Sequence, residues 1–328
     1  MTTVAGPDTR TSHAVSHKLL IRAISLVMPL ATLVLMAFFA MNTTSFLSFE
    51  NFAAVISQNA AVIIITVASA MLLMAGYVDL SVGSLMGLAG VVGGLVFIEF
   101  GVIGGVVSAL VVGFAWGLMN GTLIGVFGLS PIVVTLGGLA AARGIALALA
   151  PNAVYGFPEA IVEFGSGKFL GLAYIGWIAI VVASAGVIVM SATPFGKHIL
   201  AIGVNQRASY LVGIRVRRTI LVLYTLTGLA VALGAILIIA RLDSAPSGTL
   251  GVGMELTALT AVLLGGVPFT GGRGSMWRVL LGVWFLVVLR NGLALMNVGA
   301  EFTNIVSGVV LVVAAGLEVI QMYLRKRA

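Results

Sequence analysis

The sequence contains no cysteine and very few charged residues for its length. Without a cysteine among its 328 residues, the chain can form no disulfide, no thiolate nucleophile and no cysteine-ligated metal site. Only 8% of the residues are charged, whereas about 25% is usual for a soluble globular domain. Because 60% of the residues are hydrophobic, the composition excludes a soluble globule and predicts an integral membrane protein.

Catalytic and nucleotide-binding patterns are also missing from the sequence. The three histidines, His13, His17 and His198, stand apart from any cluster of carboxylates. The glycine-rich stretch GGRGS at 271–275 lacks the lysine of a phosphate-binding loop. We therefore expect no catalytic residues, no metal site and no cofactor in this chain, so that any ATP used would bind to another chain.

Apolar runs that could cross a bilayer recur ten times along the chain. A helix needs about 20 apolar residues to span the hydrocarbon core. The predicted spans are 19–41, 53–76, 81–97, 102–124, 131–150, 172–192, 219–240, 256–267, 277–298 and 302–323. The predicted fold is an all-α polytopic membrane protein. Its single transmembrane domain covers 19–324, between an N-terminal tail at 1–18 and a C-terminal tail at 325–328.

The positive charges predict how the chain is oriented. Lysine and arginine concentrate in the cytoplasmic loops of membrane proteins. With ten spans, thirteen of the 17 cations fall on one side, the exceptions being Arg143, Lys168, Arg241 and Arg290. Both termini are therefore expected in the cytoplasm. Since insertion topology accounts for the net charge of +7, we expect no binding to nucleic acid.

Three glycine-rich stretches, 76–84, 247–255 and 265–275, interrupt the apolar runs. Non-helical backbone at membrane depth is tolerated only beside protein or a water-filled cavity. Two halves of five spans would be inverted relative to each other, and the first two interruptions, with Asp79 and Glu255, would then correspond. Inverted repeats with broken helices are typical of transporters. The alternative is that the three stretches are ordinary loops.

Polar residues in or near the spans are candidates for a translocation pathway. A charged side chain at membrane depth is costly unless it is solvated, paired or near a helix end. The candidates are Gln58, Asn59, Asp79, Ser81, Arg143, Glu255, Arg290 and Asn291. Asp79 or Ser81 could instead cap the third span, and Arg143 could extend outward to the interface. Arg290 is expected to face the bundle interior. Any of these groups could equally hold helices together by hydrogen bonds.

The segment 194–218, between the sixth and seventh spans, carries five of the 17 lysines and arginines and no acidic residue. Its centre, 206–213, could form a short helix with Ala208, Leu211 and Val212 on one face. An apolar face surrounded by cations suits docking onto a soluble partner. An ordinary cytoplasmic loop would carry the same charges, so this alternative stays open.

Four segments carry longer motifs. They are AGYVDLSVGSLMGLAG at 75–90, LSPIVVTLGGLAAARGIAL at 129–147, TPFGKHILAIGVNQRASYLVGI at 193–214 and GVGMELTALTAVLLGGVPFTGGRGS at 251–275. In this order they resemble the permease subunits of ribose/xylose/galactose-type ABC importers, in the broader group that includes branched-chain amino acid permeases. Two departures from the family pattern, Met254 in place of tyrosine and Tyr77-Val78 in place of isoleucine, leave the solute open. A third, Gln206-Arg207 in place of acidic residues, implies a co-varied groove on the ATPase partner.

The resemblance implies an importer in the bacterial cytoplasmic (inner) membrane. Its solute would be a sugar or sugar-like molecule (a pentose, hexose or polyol) delivered by an extracytoplasmic binding protein. A second permease subunit, identical or paralogous, and a separate ATPase that binds ATP and Mg would complete it. The segment 194–218 would couple to the ATPase through Gly203, Asn205, Gln206, Arg207, Ala208, Leu211 and Gly213. The alternative is an ion-coupled secondary transporter of a small polar solute, with Asp79 and Glu255 as its nearby acids.

Overall fold

The computed structural model describes residues 28–299, 301–310, 312, 313 and 316, and these are mostly helical. The helices are α1 (Met28–Asn42), α2 (Phe49–Gln58), α3 (Ala60–Met74), α4 (Val82–Gly121), α5 (Pro131–Leu149), α6 (Glu159–Ser166), α7 (Tyr174–Ala192), α8 (Pro194–Val204), α9 (Gln206–Leu211), α10 (Val216–Leu242), α11 (Met254–Leu264) and α12 (Met276–Leu295), followed by a helical segment at 301–310. The predicted tails, 1–18 and 325–328, lie outside the described residues.

Five of the described helices are long and apolar enough to cross a membrane: α4 with its π-helical extension, α5, α7, α10 and α12. The pair α2 and α3, bent by 54°, adds a sixth if it counts as one span. The helices α1 and α11 are apolar but shorter. These lengths agree with a polytopic membrane protein.

The 40-residue helix α4 consists of two antiparallel arms. A straight helix of that length would extend about 60 Å, yet Asn120 Nδ2 donates to Ser81 Oγ over 3.2 Å. The chain reverses at Gly101, whose φ of 72° and ψ of −174° suit glycine rather than a residue with a Cβ. The arms 82–100 and 102–121 therefore correspond to the third and fourth predicted spans.

The predicted span 53–76 is bent, because its helix breaks at Asn59. This residue leaves the helical conformation (φ −105°, ψ 13°), and its Nδ2 donates to Val55 O over 2.8 Å. Such local hydrogen bonds from an asparagine side chain compete with the helical ladder. Gln58 is exposed beside the break. The 15-residue helix α3 separates Gln58 and Asn59 from the interruption at 76–84.

The helix α10 lies at the centre of the bundle and packs along both arms of α4. The second arm approaches it through glycines. A Cβ on Gly113 would overlap the carbonyl oxygen of Gly228, and a Cβ on Gly117 would overlap that of Tyr224. Glycines four residues apart permit this approach of two backbones, as in other membrane helix pairs.

Short strands and α6 form a cap at one end of the bundle. Strand β1 (Val154–Tyr155) pairs antiparallel with β4 (Ser244–Ala245), and β2 (Lys168–Phe169) pairs with β3 (Leu172–Ala173). The long loop predicted at 151–171 is therefore structured in part. The 19-residue helix α7 runs from this cap to α8 and α9 at the opposite end.

Candidate functional site

The interruptions that precede α4 and α11 are in direct contact. A Cβ on Gly83 would overlap both the carbonyl oxygen of Gly251 and the carboxylate of Glu255. A Cβ on Gly251 would in turn overlap the carbonyl oxygen of Gly83. Each interruption is followed at once by the first turn of a helix, α4 at Val82 and α11 at Met254. The two segments that were expected to correspond in an inverted repeat thus meet through bare backbone.

Asp79 belongs to a polar cluster at the start of α4. Its Oδ1 accepts hydrogen bonds from the backbone N–H of Ser81 over 2.8 Å and from Ser81 Oγ over 2.6 Å. Trp116 Nε1 and Asn120 Nδ2 donate to Ser81 Oγ over 3.3 and 3.2 Å. Asn120 Nδ2 also lies 3.4 Å from Asp79 Oδ2. The bond to the backbone of Ser81 forms a turn just before α4, and Ser81, the N-cap residue, makes no side-chain cap hydrogen bond to the helix.

One acceptor of this cluster has no partner. Asn120 is fully buried, and its Oδ1 accepts no hydrogen bond from any described residue. A buried amide oxygen without a donor costs free energy. The cluster therefore contains one buried acceptor that no described residue satisfies.

Arg143 joins α5 to the second interruption. Its Nη1 donates to the carbonyl oxygen of Ser247 over 2.6 Å, and its Nη2 donates to that of Leu250 over 3.0 Å. Glu255 also attracts the guanidinium electrostatically. Arg143 thus binds carbonyls of the 246–251 loop, a contact that the sequence did not predict.

Two other candidates lie elsewhere. Asn291 and Asn51 exchange amide hydrogen bonds of 3.0 and 3.1 Å, which join α12 to α2. Arg290 donates to Thr257 Oγ1 over 3.2 Å and to Ser307 Oγ over 3.4 Å, between α11 and the segment 301–310. The structure thus gathers Asp79, Ser81, Arg143 and Glu255 around the first turns of α4, and leaves Gln58, Asn59, Arg290 and Asn291 outside this group.

The cationic segment folds as α8 followed by α9. Asn205 separates the two helices and caps the second, since its Oδ1 accepts from the backbone N–H of Ala208 over 2.9 Å. The side chains of Tyr210, Leu211 and Val212 are 71%, 77% and 77% exposed. The short helix expected in 206–213 is present, and its apolar face is bare. Exposed arginines flank it at Arg207, Arg215, Arg217 and Arg218.

Glycines join the cationic segment to the interruptions at 76–84 and 265–275. The backbone N–H of Gly272 donates to Met74 O over 2.8 Å. A Cβ on Gly203 would overlap both that carbonyl oxygen and the nitrogen of Gly272. We call Gly76, Gly203, Gly271 and Gly272 the glycine junction, because a Cβ on Gly271 would also clash with the backbone of Gly76. The repeated glycines were the only sequence signal for this contact.

Two tyrosines continue the contact from α9 to Asp79. The side chain of Tyr77 lies near that of Gln206. Tyr224 is fully buried, and its hydroxyl donates to Val78 O over 2.8 Å, with its ring 6.4 Å from that of Tyr77. Sequence reasoning missed Trp116 and Tyr224, because nothing in an apolar helix distinguishes these aromatic residues from ordinary core residues.

Comparisons with known proteins identify the family of the chain. The family model described as branched-chain amino acid transport system / permease component matches residues 51–315. The chain is 33% identical over 291 residues to the ribose import permease protein RbsC of Escherichia coli K12, covering 87% of this chain and 90% of the relative. It is 31% identical over 284 residues to the L-arabinose ABC transporter permease protein AraH of Azospirillum brasilense, covering 86% and 84%.

A third relative is the autoinducer 2 import system permease protein LsrC of Escherichia coli, with 28% identity over 268 residues that cover 81% of this chain and 78% of the relative. No solved structure matches the chain significantly. The resemblance read from the four motifs is confirmed. This chain belongs to the permease family of branched-chain amino acid transport systems, in the group of carbohydrate ABC importer permeases.

Proposed function

We propose that this chain forms the transmembrane pathway of an importer for a sugar or sugar-like solute in the bacterial cytoplasmic (inner) membrane. A separate ATPase, which binds ATP and Mg, drives it, and an extracytoplasmic binding protein delivers the solute. The relatives that import ribose, L-arabinose and autoinducer 2 support this class of solute. The observation that carries the proposal is the backbone contact of Gly203, at the end of α8 next to the bare helix α9, with Met74 just before the interruption that holds Asp79.

The ATPase docks on α8 and α9. The apolar side chains of Leu211 and Val212 enter a groove on the ATPase, and the surrounding arginines pair with acids at its rim. Closure of the ATPase pair moves the two helices as one body, since Asn205 caps α9 directly at the end of α8. Small shifts of packed helices are a common way to transmit such a change.

The glycine junction carries this movement to the solute site. Because Gly203 touches Met74 and Gly272 backbone to backbone, α8 cannot move without displacing the ends of α3 and the 265–275 loop. The proximity of Tyr77 to Gln206 links the same motion to the residues before Asp79. The solute site consists of the cluster around Asp79 and Ser81 together with the contact between Arg143 and the 246–251 loop. It then opens alternately to each side of the membrane.

The assembly contains two permease subunits, identical or paralogous, with the pathway between them. The subunit has ten spans, a count supported by the two arms of α4, the bent pair α2–α3 and the shorter helices α1 and α11. Both of its termini lie in the cytoplasm. The binding protein docks on the cap, where Tyr155, Phe169 and Leu170 are exposed. The binding protein selects the solute, so the permease need not bind it tightly.

The deciding experiment is to purify the tagged chain in mild detergent from its native membrane and identify its partners by mass spectrometry. We expect an ATPase in stoichiometric amount, and ATP-dependent uptake when the complex and its binding protein are reconstituted in vesicles. A partner-free oligomer that transports solute in response to an ion gradient, without ATP, would contradict the proposal and identify an ion-coupled secondary transporter.

A further inference from the structure

A cavity of about 310 Å³ lies between α11, α12 and the helical segment 301–310. It is separate from the cluster around Asp79. One side of its wall is apolar, with Leu286 and Met254. The other side carries one cation and several groups that form hydrogen bonds: Arg290, Thr257, Thr260, Asn304 and Ser307.

Arg290 is half-buried in this wall and has no acidic partner among the described residues. Its Nε and Nη2 each donate one hydrogen bond, to Ser307 Oγ and Thr257 Oγ1. Both hydroxyls donate their own protons to the backbone of their helix, at Thr303 O and Gly253 O. They are thereby held as acceptors for the guanidinium. Of the five N–H donors of the Arg290 guanidinium, three remain without a partner in the described chain.

The cavity lies near the end of the bundle that carries the strands and α6. Arg290 precedes the last residue of α12, Leu295, by five positions, or about 7.5 Å along the helix. This is a depth at which a cation can meet the headgroups of a bilayer. In the wall of the cavity Leu256 is more than half exposed, and so are Phe302 and Ile305 on the segment 301–310. A charged recess thus opens onto an apolar surface.

We propose that this cavity binds the phosphate group of an anionic phospholipid, with its acyl chains lying over Leu256, Phe302 and Ile305. A phosphodiester supplies the anion that Arg290 lacks, and its oxygens accept the free N–H donors. Basic pockets between membrane helices bind anionic lipid headgroups for the same reason. The apolar mouth favours a lipid over a free anion. The site is independent of the proposed solute pathway, since it lies outside the cluster around Asp79.

Thermal unfolding of the full-length chain, purified in mild detergent with the subunits that accompany it, tests the proposal. We expect phosphatidylglycerol to raise the Tm by several degrees, because a ligand that binds only the native state stabilises it. Phosphatidylcholine should have a much smaller effect. In Arg290→Gln the phosphatidylglycerol shift should disappear, and in Arg290→Lys part of it should return. Arg241→Gln, which removes an exposed arginine at the end of α10, should keep the full shift.

A second variant distinguishes loss of lipid binding at the cavity from unfolding of the protein. A Cβ on Gly308 would meet no atom within 4 Å, and this residue lines the cavity. Gly308→Leu should therefore fill the space, keep the Tm without lipid and abolish the phosphatidylglycerol retained in native mass spectra. Full retention of this lipid in both Gly308→Leu and Arg290→Gln would overturn the proposal. So would an equal Tm shift with inorganic phosphate, which would indicate a site for a soluble anion.

Discussion

The backbone N–H of Gly272 donates a 2.8 Å hydrogen bond to the carbonyl oxygen of Met74, across 198 positions of the chain. Gly203 lies against the same carbonyl oxygen without room for a Cβ. The end of α3, the end of α8 and the loop before α12 are therefore fixed to one another by main-chain atoms. Side-chain rotation cannot absorb a displacement of any one of them.

The glycine junction should not tolerate even a methyl group. In Gly203→Ala, the new Cβ would overlap Met74 O and the nitrogen of Gly272, so the 2.8 Å hydrogen bond must lengthen or break. Overpacking of this kind costs about 1–3 kcal/mol. We expect a lower Tm in detergent and a loss of ATP-dependent uptake.

The matched control for this variant is Gly137→Ala on α5, where a Cβ would meet no atom within 4 Å. Its Tm should stay within about 1 °C of the wild type, since exposed helical alanine is at least as favourable as glycine. A Gly203→Ala protein with unchanged Tm and uptake would show that the junction is not closely packed.

The face of α9 should be needed for coupling and not for folding. Ala208 is exposed, so Ala208→Glu adds a charge there without disturbing the core. We expect the variant to insert and oligomerise normally but to lose co-purifying ATPase, with uptake falling at least about tenfold, as for a charge buried at an interface. Gly213→Trp should also lose coupling, but it adds backbone strain, because Gly213 has a φ of 88°.

Ser130→Glu provides the comparison, because it adds the same charge at an exposed residue just before α5. It should retain the ATPase and most of the uptake. Wild-type coupling in Ala208→Glu would remove the docking role of α9.

Lysine should not replace Arg143 without loss of stability, because an ammonium group cannot reach both carbonyl oxygens that the guanidinium binds. The guanidinium reaches two carbonyl oxygens, Ser247 O at 2.6 Å and Leu250 O at 3.0 Å, with two separate nitrogens. In Arg143→Lys, one carbonyl loses its donor, at a cost of about 1–3 kcal/mol. We expect a lower Tm and faster proteolysis in the 246–251 loop.

Arg241→Lys is the parallel substitution at an exposed site. Its Tm and proteolytic pattern should match those of the wild type, because surface changes usually have small effects. If Arg143→Lys also left the Tm and the proteolytic pattern unchanged, the two carbonyl oxygens would need no bidentate donor.

The hydroxyl of Tyr224 should stabilise the chain just before Asp79. It donates to Val78 O over 2.8 Å, and Tyr224 is completely buried. In Tyr224→Phe, the carbonyl loses this partner at a cost of about 1–3 kcal/mol, while the packing of the ring is kept. Thermal unfolding should detect the loss, and Tyr155→Phe, an exposed residue in β1, should show none. A Tm equal to that of the wild type in Tyr224→Phe would mean that the carbonyl of Val78 finds another donor.

The sequence by itself determined the class of the protein. Low charge and long apolar runs require a membrane, because so few polar side chains cannot solvate a surface. The motif around Asp79 and those at 129–147, 193–214 and 251–275 identified the family, which the comparisons confirmed. The short helix in 206–213 also followed from local pattern. The helix begins after Asn205, whose side chain caps it through a purely local contact.

Only the tertiary structure decided which polar residues act together. Asn59 breaks a helix that hydropathy predicts as continuous, because its side chain bonds to Val55 O and hydropathy does not register such a bond. Arg143 turns inward to loop carbonyls more than 100 positions away. Glycines are alike in sequence. At Gly203 and Gly251, a distant backbone occupies the space of the missing Cβ, and no local pattern encodes this long-range contact.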